Sequence, residues 1–262
     1  MQRVLDLDLD LFLFRVAHDI PLDGPRLDAS DFPPWPLDDA MAFLEERCHL
    51  HDPLPGRAVE HHGEVFGLWR DGVRAGSLTA PFHVTHADAH ADLGMSEGGY
   101  KYLLTEMLAK PPKERGFPRT SRDGSDEAMT DGNYLSFAIG CRWIADLTYA
   151  HHPNSGGDVH PYIVEGNLGR EDGTIQLPYL TREHIRWLID ERPLTRRVPD
   201  LPPERMEEPA VPFTMRSSDE FCAPDPFDFV FLSRSPSFTP AEADPIYDAI
   251  RERFIDEEAF AR

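Results

Sequence analysis

The stretch PFHVTHADAHADLG, residues 81–94, begins as a run of strand-forming residues and then places Asp88, His90 and Asp92 at alternate positions. Side chains two apart on a strand leave the same face, so the two carboxylates and the imidazole converge where the strand runs out. A second stretch, RVLDLDLDLFLF at residues 3–14, repeats the period with Asp6, Asp8 and Asp10 set between leucines. Strands of a parallel sheet covered on both faces are nearly all apolar. Unpaired carboxylates buried there would cost many kcal/mol, so two acid-bearing strand ends demand a compensating positive charge.

Working outward, strands alternate with helices. PLDDAMAFLEERCHL from Pro36 reads as a helix capped by Asp38 or Asp39, and AVEHHGEVFGLWRDG as a short strand running into a helix. GYKYLLTEMLAK is a helix stopped by Pro111 and Pro112, followed by a long polar loop. NYLSFAIGCRWI fits a buried helix, DLTYAHHP a strand, and residues 195–212 a proline-rich excursion. FDFVFLSRSPSFTP reads as the last strand, and AEADPIYDAIRERFIDEEAFA as one closing helix. This alternation predicts a three-layer α/β fold with a mostly parallel sheet, built as one domain over residues 1–262. Sites in such sheets form at the carboxyl ends of the strands.

Composition limits the function. The 47 acidic and 26 basic residues give a formal net charge of -21, which repels nucleic acid and anionic lipid and gathers cations or basic peptides. Cys48, Cys141 and Cys222 are too few and too scattered for a disulfide framework or a zinc ribbon. No apolar run approaches the roughly 20 residues that span a bilayer, and MQRVLDLDLD has acids where a signal peptide has bases. A cytoplasmic protein is expected, bound to neither membrane nor nucleic acid; the sequence leaves room for a homo-oligomer.

A pair of metal ions fits the charge count. Asp8, Asp10, Asp88 and Asp92 balance two divalent cations, and neutral His90 adds a nitrogen. Oxygen-rich ligation with one or two imidazoles suits manganese better than zinc. Two such ions side by side bring the pKa of a shared water close to neutral, so hydrolysis is the expected chemistry. Asp8 and Asp10 are preferred as ligands because they leave the longer apolar strand behind them, with Asp6 orienting them; Asp6 and Asp8 form the alternative pair. Of His61 and His62 only one can point inward from a strand. His86 shares the face of Asp88, as core residue or ligand support. Asn133 is either a helix cap or a pocket-facing, substrate-binding residue.

These segments resemble a family. DAHAD, residues 88–92, matches the Asp-x-His-x-Asp metal motif of the arginase-like ureohydrolases. DLDLDLF resembles their Asp-x-Asp ligand strand, and VEHHGEVFGLW the segment that supplies a further histidine. SRSPSFTPAEAD, residues 233–244, extends the likeness toward the end of the chain. The closest similarity is to a divergent branch that includes peptide arginases, which convert arginine side chains of ribosomally made peptides to ornithine. The resemblance implies an arginase-like fold, two Mn(2+) ions per chain with Asp88 bridging them, and an arginine-containing precursor peptide as partner. It favours His62 as the ligand, with His61 in support, because HHGEV then follows the family's His-x-Glu pattern. It implies that Glu242 pairs with the guanidinium, and His152 or its neighbour His151 is the candidate proton shuttle for the leaving amine.

Two departures shape the expectation. The Asp-x-Asp strand opens this chain instead of following the Asp-x-His-x-Asp strand, which suggests a permuted strand order. LGMSEGGYKYLL, residues 93–104, lacks the Ser/Asn loop that grips the free α-groups of arginine, which points to a peptide over a free guanidino compound. RVLDLDLDLF also resembles the nucleophile strand of haloacid-dehalogenase-type phosphatases, although Leu11 and Phe12 stand where that family favours Thr or Val, and DAHAD has no part in that reading.

Overall fold

The computed structural model describes residues 1–260 except 19, 21–23, 95–96, 122–126, 156–158, 160–163, 166–171 and 178–207. Its centre is a nine-stranded sheet in the order β5-β6-β7-β4-β3-β1-β8-β2-β9. The strands are β1 (Arg3–Asp8), β2 (Leu54–Val59), β3 (Phe82–Asp88), β4 (Ile144–His151), β5 (Val164–Glu165), β6 (Asp172–Ile175), β7 (Val211–Ser217), β8 (Phe229–Ser233) and β9 (Ile255–Asp256). From β7 to β9 every pairing is parallel; β5 and β6 add an antiparallel edge. The expected three-layer α/β fold with a mostly parallel sheet is what forms.

Alternation along β1 separates two cores. Leu5 and Leu7 pack with Ala87, Val230 and Leu232 on one face, against α1 (Leu37–Ala42) and α5 (Asp244–Phe254). Val4 packs with Val84, Leu147 and Phe231 on the other, against α2 (Glu64–Ala75), α3 (Glu97–Tyr102) and α4 (Tyr134–Gly140). Trp69 of α2 is fully buried among the rings of Phe82, Tyr134 and Phe231, at 5.4, 6.0 and 6.2 Å between centroids. Burying so large a ring is worth several kcal/mol, and it fixes α2 and α4 over β3 and β8.

Several expectations about the elements change. The closing segment is not one helix: Ile255 leaves helical geometry at φ -119°, forms the edge strand β9 beside β2, and is followed by α6 (Glu257–Phe260). The last strand is therefore β9 and not β8. No side chain caps α1, whose start is set by Pro36, although Asp38 and Asp39 do fall in its first turn. Val211 and Pro212 belong to β7 and not to an excursion, and Glu208 is buried against Arg115 and Arg142; residues 195–207 of that excursion lie outside the described residues. No helix among the described residues is long and apolar enough to cross a membrane.

The connections place the site. β1 leads to β2, which lies beyond β8 on one side, whereas β3, the neighbour of β1 on the other side, leads away to β4. Diverging connections from adjacent parallel strands open a crevice beyond their carboxyl ends. Asp8 ends β1 and Asp88 ends β3.

Candidate metal centre

Period-2 alternation accounts for only half of the cluster. Asp6 and His86 stand side by side in register on β1 and β3, with Asp8 and Asp88 one step on. Beyond these, both strands have ended. Asp10 is carried inward by a 3-10 turn, Leu9–Phe12, that Asp8 caps by accepting from the Asp10 N–H at 3.0 Å. His90 and Asp92 come round on bends, with Asp92 in the left-handed region at φ 46°. A non-glycine residue pays on the order of 1 kcal/mol for that conformation. His61 and His62 also lie off the strand, in the turn between β2 and α2, so the choice between them is made by the turn: His62 is buried and His61 stays at the rim.

Five buried carboxylates, Asp6, Asp8, Asp10, Asp88 and Asp92, thus gather around His62, His86 and His90. Among the described residues no lysine or arginine pairs with any of them; the only positive partners are the histidines. His62 Nδ1 stands 3.0 Å from one oxygen each of Asp8, Asp88 and Asp92, yet it is buried with no hydrogen bond of acceptable geometry. Donor atoms about 3 Å apart are what neighbouring ligands of one ion present when each is bound at about 2.1 Å. Asp88 turns its other oxygen away, toward His90 Nδ1 at 3.8 Å, and His90 Nδ1 lies 2.9 Å from Asp10. Two donor groups therefore share one carboxylate, and these buried groups could hold a metal ion.

Hydrogen-bond bookkeeping sorts the histidines. A carboxylate or carbonyl oxygen can only accept, so His62 Nε2 donates to Asp6 at 3.2 Å and Nδ1 is the nitrogen that faces the three carboxylates. His90 Nε2 donates to the Ala17 carbonyl at 2.9 Å, which likewise leaves Nδ1 for the cluster. His86 has acceptors on both sides, Asp6 at 3.0 Å and the His90 carbonyl at 3.0 Å. Both its nitrogens must donate, which makes it a buried imidazolium and a support, not a ligand. Asp6 is the hub behind the site, accepting from His62, His86 and the Tyr134 hydroxyl.

Electrostatically the cluster is short of positive charge, with three imidazoles against five buried carboxylates. Burial alone would lower the His86 value, but Asp88 and Asp6 carry it up to about 10. Against the same burial, Tyr134 and Asp6 hold His62, and Asp10 and Asp88 hold His90, well above the usual imidazole range. Burial and then the Asp8 and Asp88 charges push Asp10 up, and burial with Asp88 pushes Asp92 up to about 7. Burial works in the same direction on Asp88 and Asp6, yet the imidazoles of His86 and His62 outweigh it and keep both well below the carboxylate range. Imidazoles that retain protons and carboxylates that take them up both follow from the excess of buried negative charge, so the donor set fits divalent ions.

Other expected residues fall elsewhere. His152 donates through Nε2 to the Leu13 carbonyl at 2.8 Å and accepts the Asn154 N–H on Nδ1 at 3.0 Å, so neither nitrogen is available to shuttle a proton; burial lowers its pKa. Glu242 is exposed in the turn Ala241–Ala243 and does not line the cleft over the cluster. Asn133 closes a capping box with Thr130, accepting its N–H at 2.8 Å, and its neighbours Asp131 and Gly132 line the cleft instead. That cleft measures about 240 Å³. Residues the sequence did not single out complete the site: Ser233 and Ser235 both donate to Asp8 Oδ2, the former at 2.7 Å, and Phe238 forms a wall beside His90, with ring centroids 5.0 Å apart. The SRSPSF segment held that information, since two serines at period 2 leave the end of β8 beside β1. Comparison of the chain with protein-family models, curated proteins and solved structures finds no match.

Proposed function

We propose that this chain is a manganese-dependent hydrolase that cleaves the guanidino group of an arginine side chain within a peptide, leaving ornithine and releasing urea. The observation that carries the reading is Asp88, whose two oxygens face two donor groups, one with His62 Nδ1, Asp8 and Asp92 and the other with His90 Nδ1 and Asp10. These are the residues on which the likeness to the arginase-like ureohydrolases rests. A set of mostly carboxylate donors with two imidazoles suits two Mn(2+) ions. Bound there, the ions would activate water for attack on the guanidinium carbon.

The chain's own residues do the rest. Asp6 and the Ala17 carbonyl hold the two ligand histidines in the tautomer that presents Nδ1, and Ser233 and Ser235 fix the rotamer of Asp8. Acidic side chains around the cleft favour a cationic guanidinium over neutral or anionic competitors. A cytoplasmic setting agrees with cysteines that are all unpaired. The test is mass spectrometry of arginine-containing peptides incubated with manganese-loaded protein. Each conversion should remove about 42 Da as the guanidino carbon and two of its three nitrogens leave as urea, the third staying as the ornithine amine, and Asp10→Asn should abolish the change. Unchanged peptides alongside hydrolysis of an aryl phosphate would refute the reading in favour of the phosphatase.

A further inference from the structure

None of the three cysteines belongs to the metal-binding cluster, and two of them meet away from it. Cys48 follows the turn Phe43–Arg47 that continues α1, and Cys222 lies in the connection from β7 to β8. The Ala223 N–H donates to the Arg47 carbonyl at 2.8 Å, so the two peptide groups that adjoin these cysteines are hydrogen-bonded to each other. In a trans peptide the carbonyl oxygen lies on the same side as the α-carbon that follows it, and the N–H on the same side as the α-carbon that precedes it. Cys48 and Cys222 therefore flank one hydrogen bond. Standard peptide dimensions put their α-carbons roughly 4–6.5 Å apart whatever the twist between the two segments. A disulfide spans about 4.4–6.8 Å between α-carbons.

The side chains agree with the backbone. Cys222 is exposed, yet its Sγ reaches back to 3.5 Å from Nε2 of His49, the residue next to Cys48. The chain turns at His49, whose φ of 56° is left-handed, with His49 facing solvent and Cys48 facing the core beside Leu50, Phe221 and Ala223. One thiol is open to a reagent and has a base beside it, whereas the other is shielded. Burial, and the Cys222 charge after it, push the Cys48 thiol up, so Cys48 is the slower of the two to react first.

We propose that Cys48 and Cys222 form a reversible disulfide, with a low-molecular-weight disulfide as the oxidant. The Cys222 thiol gives its proton to His49 and attacks one sulfur of the oxidant; a mixed disulfide forms, and the expelled thiolate takes up that proton. Cys48 then loses its proton and attacks the Cys222 sulfur. The protein disulfide forms and the second small thiol leaves with that proton, so two cysteine thiols are oxidised while one small disulfide is reduced to two thiols. Capping removes the Cys222 charge that helps keep Cys48 protonated, so the first step prepares the second. Transient pairs of this kind are the ones that reducing compartments hold. The bridge would tie the segment leading into β2 to the segment leading into β8.

The experiment incubates the whole chain, reduced and then freed of reductant, with glutathione disulfide and maps unreduced digests by mass spectrometry. Peptides linked through Cys48 and Cys222 are expected, with Cys141 left as a thiol. The Tm should rise by several degrees in the bridged protein and fall back with dithiothreitol, because closing so long a loop restricts the unfolded chain. Cys48→Ala should stop at one glutathione on Cys222, and Cys222→Ser should leave Cys48 unmodified. His49→Gln should slow the loss of the free Cys222 thiol by about tenfold, less than a base in an enclosed site contributes. Cysteines 48 and 222 that stay unlinked, a wild type that stops at glutathionylated Cys222, a bridge through Cys141, or equal rates in wild type and His49→Gln would each overturn the proposal. None of these outcomes touches the reading of the metal centre.

Discussion

Titrating the metal-free protein with Mn(2+) should release protons, and the structure sets their number. His62 and His90 are both held protonated by surrounding carboxylates, and each must surrender the proton on Nδ1 to bind an ion. Asp10 is also raised, but it faces His90 Nδ1 at 2.9 Å, so that pair counts as one shared proton. Asp92, with its value near 7, contributes about half a proton at pH 7. His86 keeps its own, because both nitrogens donate to oxygens outside the donor groups or shared with them. Between two and three protons should therefore leave per chain at saturation, by this order-of-magnitude count. The signs are consistent: protons compete with metal, so affinity rises with pH, by about 100-fold or more per unit while two or more protons are displaced. Isothermal titration calorimetry in buffers of different ionisation enthalpy reads the number as a slope. A slope near zero at pH 7 would show that the histidines are already neutral and would refute the account of the cluster as cation-deficient.

Three further outcomes follow from the same contacts. Without metal, stability should fall as pH rises: a group whose folded pKa lies above its unfolded value stabilises fully below the unfolded value and ceases to as pH passes the folded one. Asp92 therefore costs on the order of 4 kcal/mol between about pH 4 and 7, and His86 adds a loss toward pH 10, both visible as a falling Tm by calorimetry in chelator and reversed by Mn(2+). Tyr134→Phe leaves Asp6 one donor short and should cost about 1–3 kcal/mol in chemical denaturation while weakening metal binding. Glu242→Gln and His152→Gln should keep peptide kcat/KM within about twofold in the mass-spectrometric assay, because one side chain is exposed away from the cleft and the other is tied to the main chain.

How much of this was legible in the sequence depends on how far each signal reaches. The two acid-bearing strand ends were readable because alternation is a local property and because apolar residues around the acids mark burial. The same rule brought together residues that do converge, but for a partly wrong reason, since Asp10, His90 and Asp92 lie past the strands and meet through a 3-10 turn and a left-handed bend. What the rule captured was a short span between ligands, and several backbone geometries satisfy that. Glu242, His152 and Asn133 were weaker because each rested on one polar residue in a plausible segment, with no second residue fixing its direction.

Tyr134 was missed for a different reason: it reaches Asp6 from a separate element, 128 positions away, and no local pattern reports such a meeting. Ser233 and Ser235 carried a local period-2 signal, but nothing local says that β8 lies beside β1. The edge strand β9 was missed because Ile255 and Asp256 continue a helical apolar period, while their conformation is set by pairing with Leu54 and Pro55. Tertiary pairing overrides local preference most easily in so short a segment. The chain therefore shows its metal-binding potential locally and braces that cluster non-locally. Substituting the carboxylates should alter whether metal binds, and substituting Tyr134 or the two serines should alter how tightly it is held.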